Sequence, residues 1–242
     1  MSIFSMDAHM HFDLYKNKKL VADYIANQKS YTISVTNLPD LFEKYYLDYQ
    51  NYKYMRLALG FHPELVYEYQ NLLPVFFRNV NKTRYIGEVG LDFSTTDKKN
   101  KDKQTEIFTR IVEICNNKKK IFTVHTRRAH KEVIKILNEF QGRVILHWYS
   151  GSMKELQVAI ERGYYFSINH QMLGSNAGRN IINVIPMNKI LIESDAPFTR
   201  GLKDQYDLFF VYEIYNYLAK IKNVSVNEVS EVIKNNLRQI LL

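Results

Sequence analysis

The sequence predicts an α/β protein folded as a (β/α)8 TIM barrel, and three observations carry that prediction. Eight apolar stretches of strand length recur along the chain, with amphipathic segments of helix length between them. The segment at the end of the first stretch, SMDAHMHFD, holds no glycine, whereas an open doubly wound sheet, the competing architecture, is expected to place a Gly-rich phosphate loop there. Metal-capable or charged side chains stand where the stretches end, and barrel enzymes build their sites from the C-terminal ends of their strands.

Taken in order, strands are expected over residues 3–8, 31–36, 55–60, 85–89, 121–124, 144–146, 164–168 and 190–192. Helices are expected over 18–27, 38–49, 64–79, 101–118, 128–140, 153–162, 176–184, 205–221 and 226–241. Such alternation favours parallel pairing with right-handed crossovers, and eight units close a barrel. There is no repeat of fixed period and no Pro-, Ser- or Gly-rich linker, so one domain over residues 1–242 is expected. The Lys-rich segment 97–104 reads as an exposed loop leading into the helix at 101.

Composition narrows the class. With 242 residues and 46% hydrophobic content the chain can bury a large core. A single cysteine, Cys115, excludes an internal disulfide, suits a reducing compartment and reads as a small core residue. The N-terminus lacks the basic and apolar regions of a signal peptide, and no run approaches a membrane span, so a cytoplasmic protein with no membrane partner is expected. Thirty-three Lys and Arg against twenty-five Asp and Glu give a net charge of +8, which favours polyanions such as nucleic acid, although a Lys- and Asn-rich compositional bias gives the same number.

The strand ends carry the chemistry. Alternate side chains share a strand face, so His9 and His11 aim two imidazoles at one point. That pair alone reads equally as exposed or core histidines. The later ends shift the reading: GFHP with His62, IGEVGLDF with Glu88 and Asp92, VHTRRA with His125 and Arg127, LHWYSG with His147, and IESDAPF with Glu193 and Asp195. Five of the seven histidines fall at strand ends, leaving His130 and His170 outside the pattern, and clustered His, Asp and Glu imply a shared metal. Glu193 either points into the site or orients a ligand histidine from behind, Asp92 is expected to fix its own loop, and Arg127 is placed to clamp a phosphate.

The succession DAHMHFD, GFHP, IGEVGLDF, VHTRRA, LHWYSG and LIESDAPF resembles the TatD family of metal-dependent deoxyribonucleases, within the wider amidohydrolase-like barrels, over residues 6–198. The resemblance implies that His9, His11 and Asp195 hold one metal, that His125 and His147 hold a second, and that Glu88 bridges the two. Four imidazoles and two carboxylates suffice for two divalent ions; their softness suits Zn²⁺, Mn²⁺ or Co²⁺, and the resemblance adds Mg²⁺. It further implies a metal-activated water with Glu88 as catalytic bridge, for which Asp195 is the expected general base; Arg127 is expected on the substrate phosphate, and His62 either acts on substrate beside it or hydrogen-bonds a metal ligand. The sequence departs from the family at Trp148 and Tyr149, where Cys and Phe are usual, at Asn169 and His170, where a small residue is usual, and after Asp195, where an Asn-Pro element is missing.

The expected function is therefore hydrolysis of phosphodiesters, with DNA, single-stranded or at 3′ ends, as the partner. Two other classes stay open. One is a hydrolase or deaminase of a small cyclic amide or nucleobase, against which stand Glu88 in place of a carboxylated lysine and the basic charge. The other is a metal-stabilised nucleic-acid-binding subunit with little turnover, for instance with partners encoded in a phage-defence operon. The oligomeric state is not legible.

Overall fold

The computed structural model describes residues 3–242. All eight expected strands form: β1 (Met6–His11), β2 (Tyr31–Val35), β3 (Met55–Leu57), β4 (Tyr85–Gly90), β5 (Ile121–His125), β6 (Arg143–His147), β7 (Tyr165–Ile168) and β8 (Ile190–Ile192). Every ladder is parallel, in the orders β1-β2-β3 and β4-β5-β6-β7-β8. Backbone hydrogen bonds cross both seams between the two ladders. At one, Leu59 N–H donates to Tyr85 O (3.0 Å) and Gly87 N–H to Leu59 O (2.9 Å); at the other, Asp195 N–H donates to His9 O (2.9 Å) and His11 N–H to Ala196 O (2.8 Å). These bonds complete the ring that the strand count predicts.

The helices are α1 (Lys18–Gln28), α2 (Pro39–Tyr49), α3 (Pro63–Val66), α4 (Leu73–Asn79), α5 (Lys98–Cys115), α6 (His130–Ile136), α7 (Met153–Glu161), α8 (His170–Leu173), α9 (Asn176–Val184), α10 (Phe209–Lys222) and α11 (Val226–Leu241). They cover strands whose Phe122, Val124, Ile145, Phe166, Ile168 and Leu191 are buried, as expected for a parallel sheet apolar on both faces. Asn236 on α11 donates through Nδ2 to Met187 O (2.8 Å) and Ile190 O (2.7 Å), fastening that helix to the start of β8. Among the described residues no helix is long and apolar enough to cross a membrane.

Four boundaries differ from expectation for identifiable reasons. β1 runs three residues further along the chain than predicted, because the backbone of Phe4 is engaged elsewhere: its N–H donates to Ser230 Oγ (2.7 Å) and its carbonyl accepts from Tyr215 (2.9 Å). His11 thus ends the strand, and does not follow it. The helix expected over 64–79 breaks into α3, a 3-10 turn and α4, where Pro74, without an N–H, stands in the first turn of the restarted helix. The Lys-rich loop is instead helical from Lys98, because Asp97 caps it by accepting Lys99 N–H (2.9 Å). α10 starts at Phe209, not 205, because Tyr206 is drawn inward to Asp7.

Candidate metal centre

Two strand irregularities frame the site. The β1–β2 register shifts between Asp7 and Met10, and the β4–β5 register shifts between Ile86 and Val89. The first shift spans His9 and the second Glu88; bulges of this kind re-aim side chains beside active sites. Glycine is required next to Glu88, since a Cβ on Gly87 would lie 2.1 Å from Thr123 Cγ2.

The six expected ligand residues converge. Five are buried and His125 is half-buried. On one side of Glu88, His9 Nε2 lies 3.3 Å from His11 Nε2, 3.4 Å from Glu88 Oε2 and 3.7 Å from Asp195 Oδ1. His11 Nε2 lies 3.2 Å from the same Glu88 oxygen and 3.5 Å from Asp195 Oδ1. An ion with four tetrahedral ligands at about 2.1 Å spaces those ligands about 3.4 Å apart. On the other side, Glu88 Oε1 lies 2.7 Å from His125 Nδ1 and 2.9 Å from His147 Nε2, with those nitrogens 3.4 Å apart. Glu88 Oε1 therefore faces His125 and His147, and Oε2 faces His9 and His11 with His62 also beside it.

Groups behind the imidazoles set which nitrogen faces inward. His9 Nδ1 pairs with Thr123 Oγ1 (2.6 Å), and His125 Nε2 with Asp92 Oδ2 (2.8 Å). Asp92 also accepts Ser94 N–H (2.8 Å), so it fixes its loop, as expected, and orients His125 besides. Glu193 lies behind the ring of His147 and does not line the cavity: its Oε1 is 3.7 Å from His147 Nδ1, an electrostatic and not a hydrogen-bond distance, on the opposite edge of that ring from Glu88, and accepts Trp148 N–H (3.0 Å) and Asn169 Nδ2 (3.1 Å). Asp7 ties β1 to the segment after β8, accepting His9 N–H (3.1 Å), Ser194 N–H (2.9 Å) and the Tyr206 hydroxyl (2.8 Å).

The electrostatics match a cation-binding cluster. Burial opposes charge on Glu88, but the surrounding imidazoles of His62, His147, His9 and His125 outweigh it and hold the carboxyl well below its usual range. Burial likewise works against protonated His11, yet the Asp195 and Glu88 carboxylates push it up to about 10, and His147 rises for a related reason beside Glu88 and Glu193. Burial pulls His9 down to about 4. Among the described residues, Glu88 Oε2 and Asp195 Oδ1 are buried without a hydrogen-bond donor, although within 3.7 Å the first has three imidazole nitrogens and the second two. Buried carboxylate oxygens in that setting are matched to a shared cation, so the residues fit a divalent metal.

His62 lies 3.4 Å from Glu88 Oε2 through Nε2, and its Nδ1 accepts Glu64 N–H (3.2 Å). The neutral ring therefore carries its proton on Nε2, which makes it a hydrogen-bond donor towards the site and a poor ligand. Burial pulls its pKa down to about 4, which keeps it neutral. Arg127 is exposed at the rim of a cavity of about 470 Å³ that His62, Glu88, His147, Trp148 and Phe198 also line. Of the lining residues it alone is a Lys or Arg. Lys120 sits at the opposite end of the barrel, donating to Thr83 O (2.6 Å) at the start of β5.

His130 and His170 stand apart, as expected: the first packs its edge on Tyr149 and the second pairs with Arg200 O (2.9 Å). The sequence reading missed Thr123, Ser194, Tyr206 and Ser167, whose hydroxyl donates to Glu193. Thr123 was findable, since it lies two before His125 on one strand. Tyr206 left no signal, because its partner Asp7 lies 199 residues away.

Comparison with known proteins agrees with this geometry. The family described as TatD related DNase matches residues 6–242. The human protein named deoxyribonuclease TATDN3 is 29% identical over 170 residues, 68% of this chain and 62% of its own. An uncharacterized metal-dependent hydrolase of Buchnera aphidicola is 26% identical over 244 residues, 92% of this chain and 90% of its own. The crystal structure of YjjV, a TatD homolog from Escherichia coli, superposes with a TM-score of 0.84 at 19% identity, covering 98% of this chain and 97% of that one, and so supports the barrel fold. A family match across nearly the whole chain, on a barrel with the metal-capable cluster just described, decides the matter: the chain belongs to the TatD family of metal-dependent hydrolases.

Proposed function

We propose that this chain is a deoxyribonuclease that hydrolyses phosphodiester bonds with two divalent cations, one held by His9, His11 and Asp195, the other by His125 and His147, with Glu88 shared between them. The observation that carries this reading is the division of Glu88: Oε2 faces His9 and His11, with the neutral His62 beside them, and Oε1 faces His125 and His147. Cations held there would neutralise phosphate charge and lower the pKa of a shared water, which is what an anionic ester needs before a nucleophile can approach. Zn²⁺ and Mn²⁺ suit the imidazole-rich donors better than Mg²⁺ does.

The chain's own groups supply the rest. Asp195, whose carboxylate lines the cavity with Oδ1 free of any donor among the described residues, takes the proton of the attacking water. The water oxygen bonds to phosphorus as one P–O ester bond breaks, leaving an alcohol and a phosphate monoester. His62 donates from Nε2 to a phosphate oxygen, and the exposed Arg127 guanidinium steadies the same group from the rim. One cationic side chain at the cavity matches one bound phosphate, with attraction over longer range coming from the net charge of +8.

The test is metal-reconstituted protein incubated with end-labelled single- and double-stranded DNA, free or blocked at the 3′ end, beside nucleotides and cyclic amides. Metal-dependent shortening of DNA from its free 3′ end is expected. Turnover of a cyclic amide with DNA left intact would overturn the reading.

A further inference from the structure

We infer that Trp148 forms the wall of a nucleobase subsite: a neutral cleft beside the metal centre that takes a base of the substrate strand while its phosphate lies at Glu88. This rests on the phosphodiesterase reading and adds what the site recognises besides phosphate.

A second cavity, of about 700 Å³, opens between the loop that follows β6 and the helices α8 and α9. Trp148 and Ser150 line both this cleft and the metal cavity, so the two adjoin there. Their chemistry differs. The metal cavity is lined by imidazoles, carboxylates and Arg127, whereas the cleft has no charged lining residue and is lined by Met153, Met172, Gln171 and Asn180 as well as Trp148. A cleft without charge offers nothing to a phosphate. Amide groups, a thioether and an aromatic face are what a flat, hydrogen-bonding base requires. Met153 is 45% exposed and Trp148 half-buried, so apolar surface is available on both sides of the opening.

The cleft is built and held. Trp148 has φ 37, a left-handed conformation that a bulky residue adopts only when its surroundings impose it. The buried Glu193 accepts its N–H and also Asn169 Nδ2, while Asn169 Oδ1 accepts Met172 N–H (3.2 Å). One carboxylate thus fastens both walls of the cleft and stands behind His147. The base subsite and the second half of the metal centre are set by the same residue. Nucleotide binding at one is expected to feel the geometry of the other.

Trp148 is the chain's one tryptophan, so its fluorescence reports this position without any substitution. The metal-loaded protein is titrated with a short single-stranded phosphorothioate DNA, which resists turnover, and with an abasic strand of the same length. The DNA is expected to quench the indole and the abasic strand to bind more weakly without matching the quench. By anisotropy of a labelled strand, Trp148→Ala should weaken binding about tenfold, as loss of one stacked base implies, and Trp148→Phe should restore most of it. Hydrolysis of the base-free ester bis(p-nitrophenyl) phosphate tests the phosphodiesterase reading alone. Hydrolysis with an equal quench from both strands, or with unchanged binding by Trp148→Ala, overturns the subsite and leaves the chemistry standing. A base-dependent quench without hydrolysis supports the subsite and removes the phosphodiesterase reading. Neither hydrolysis nor quench overturns both.

Discussion

The two sides of Glu88 hold their histidines in different ways. On the β1 and β8 side, His9 and His11 are buried, with only His11 reaching the cavity wall; a threonine hydroxyl stands behind His9, and Asp7 fastens the backbone. On the β5 and β6 side, His125 and His147 border the cavity, and behind each stands a carboxylate, Asp92 or Glu193. A carboxylate behind a ligand imidazole fixes its orientation and raises its basicity. The first side is therefore held by burial and backbone hydrogen bonds, and the second is tuned by charge. In the function proposed above, this charge-backed pair would hold the metal that exchanges contacts with the substrate.

The largest expected effect erases the comparison by removing what joins the sides. Glu88→Gln loses the charge shared by both imidazole pairs, and both metals should bind more weakly, with turnover falling by about 10³ or more. Metal analysis by mass spectrometry beside single-turnover cleavage checks it. Retention of two metals with ordinary turnover would remove Glu88 as the bridge. Asp195→Asn should separate the sides: it keeps shape and one ligating oxygen but takes away the proton acceptor. Turnover should fall by roughly 10² while the metal at His125 and His147 stays bound. Cleavage at the parental rate with two metals bound would exclude Asp195 as the base.

Smaller effects sharpen the contrast. Asp92→Asn removes the charge behind His125 and should weaken the second metal about 10- to 100-fold, with the first unchanged, by competition against a fluorescent chelator. Equal weakening of both metals would mean that the sides are not independent. Tyr206→Phe takes a donor from Asp7 and acts on the first side through stability. Burial raises the Asp7 pKa to about 7 and the Tyr206 hydrogen bond partly offsets that, so the hydroxyl favours the charged form. Its loss should lower stability by about 1–3 kcal/mol, roughly 2–10 °C in Tm. The sign follows: a folded pKa above the unfolded 3.8 means both proteins lose stability in parallel as pH rises towards 7. In calorimetry the deficit of Tyr206→Phe should therefore grow only as pH passes above about 7, where the parental Asp7 ionises and the variant's does so later. A pH-independent deficit would point to packing alone.

How much of this was legible in the sequence follows the same division. The ligands could be read because a strand repeats every two residues and ends at the mouth: His9 with His11, Glu88 in β4, His125 and His147 at the last positions of β5 and β6. Asp92 and Glu193 could be named as candidates but not placed, since their roles depend on side-chain reach across neighbouring strands. How the first side is held was not legible at all. Asp7 meets Ser194 and Tyr206 only when β1 closes against the segment after β8, and no local periodicity encodes contacts across 187 and 199 residues. Register shifts at His9 and Glu88 were hidden for the same reason, because a bulge belongs to a pair of strands and not to one.

The most direct test of the account is anomalous diffraction from crystals of the protein soaked in Mn²⁺. Two peaks about 3.5–4 Å apart are expected on either side of the Glu88 carboxylate. One should sit against Nε2 of His9 and His11 with Asp195, the other against Nδ1 of His125 and Nε2 of His147, with Asp92 still paired to His125 Nε2. A single peak, or a second peak bound by His125 through Nε2 with Asp92 displaced, would contradict the division of Glu88 on which the function proposed for this chain depends.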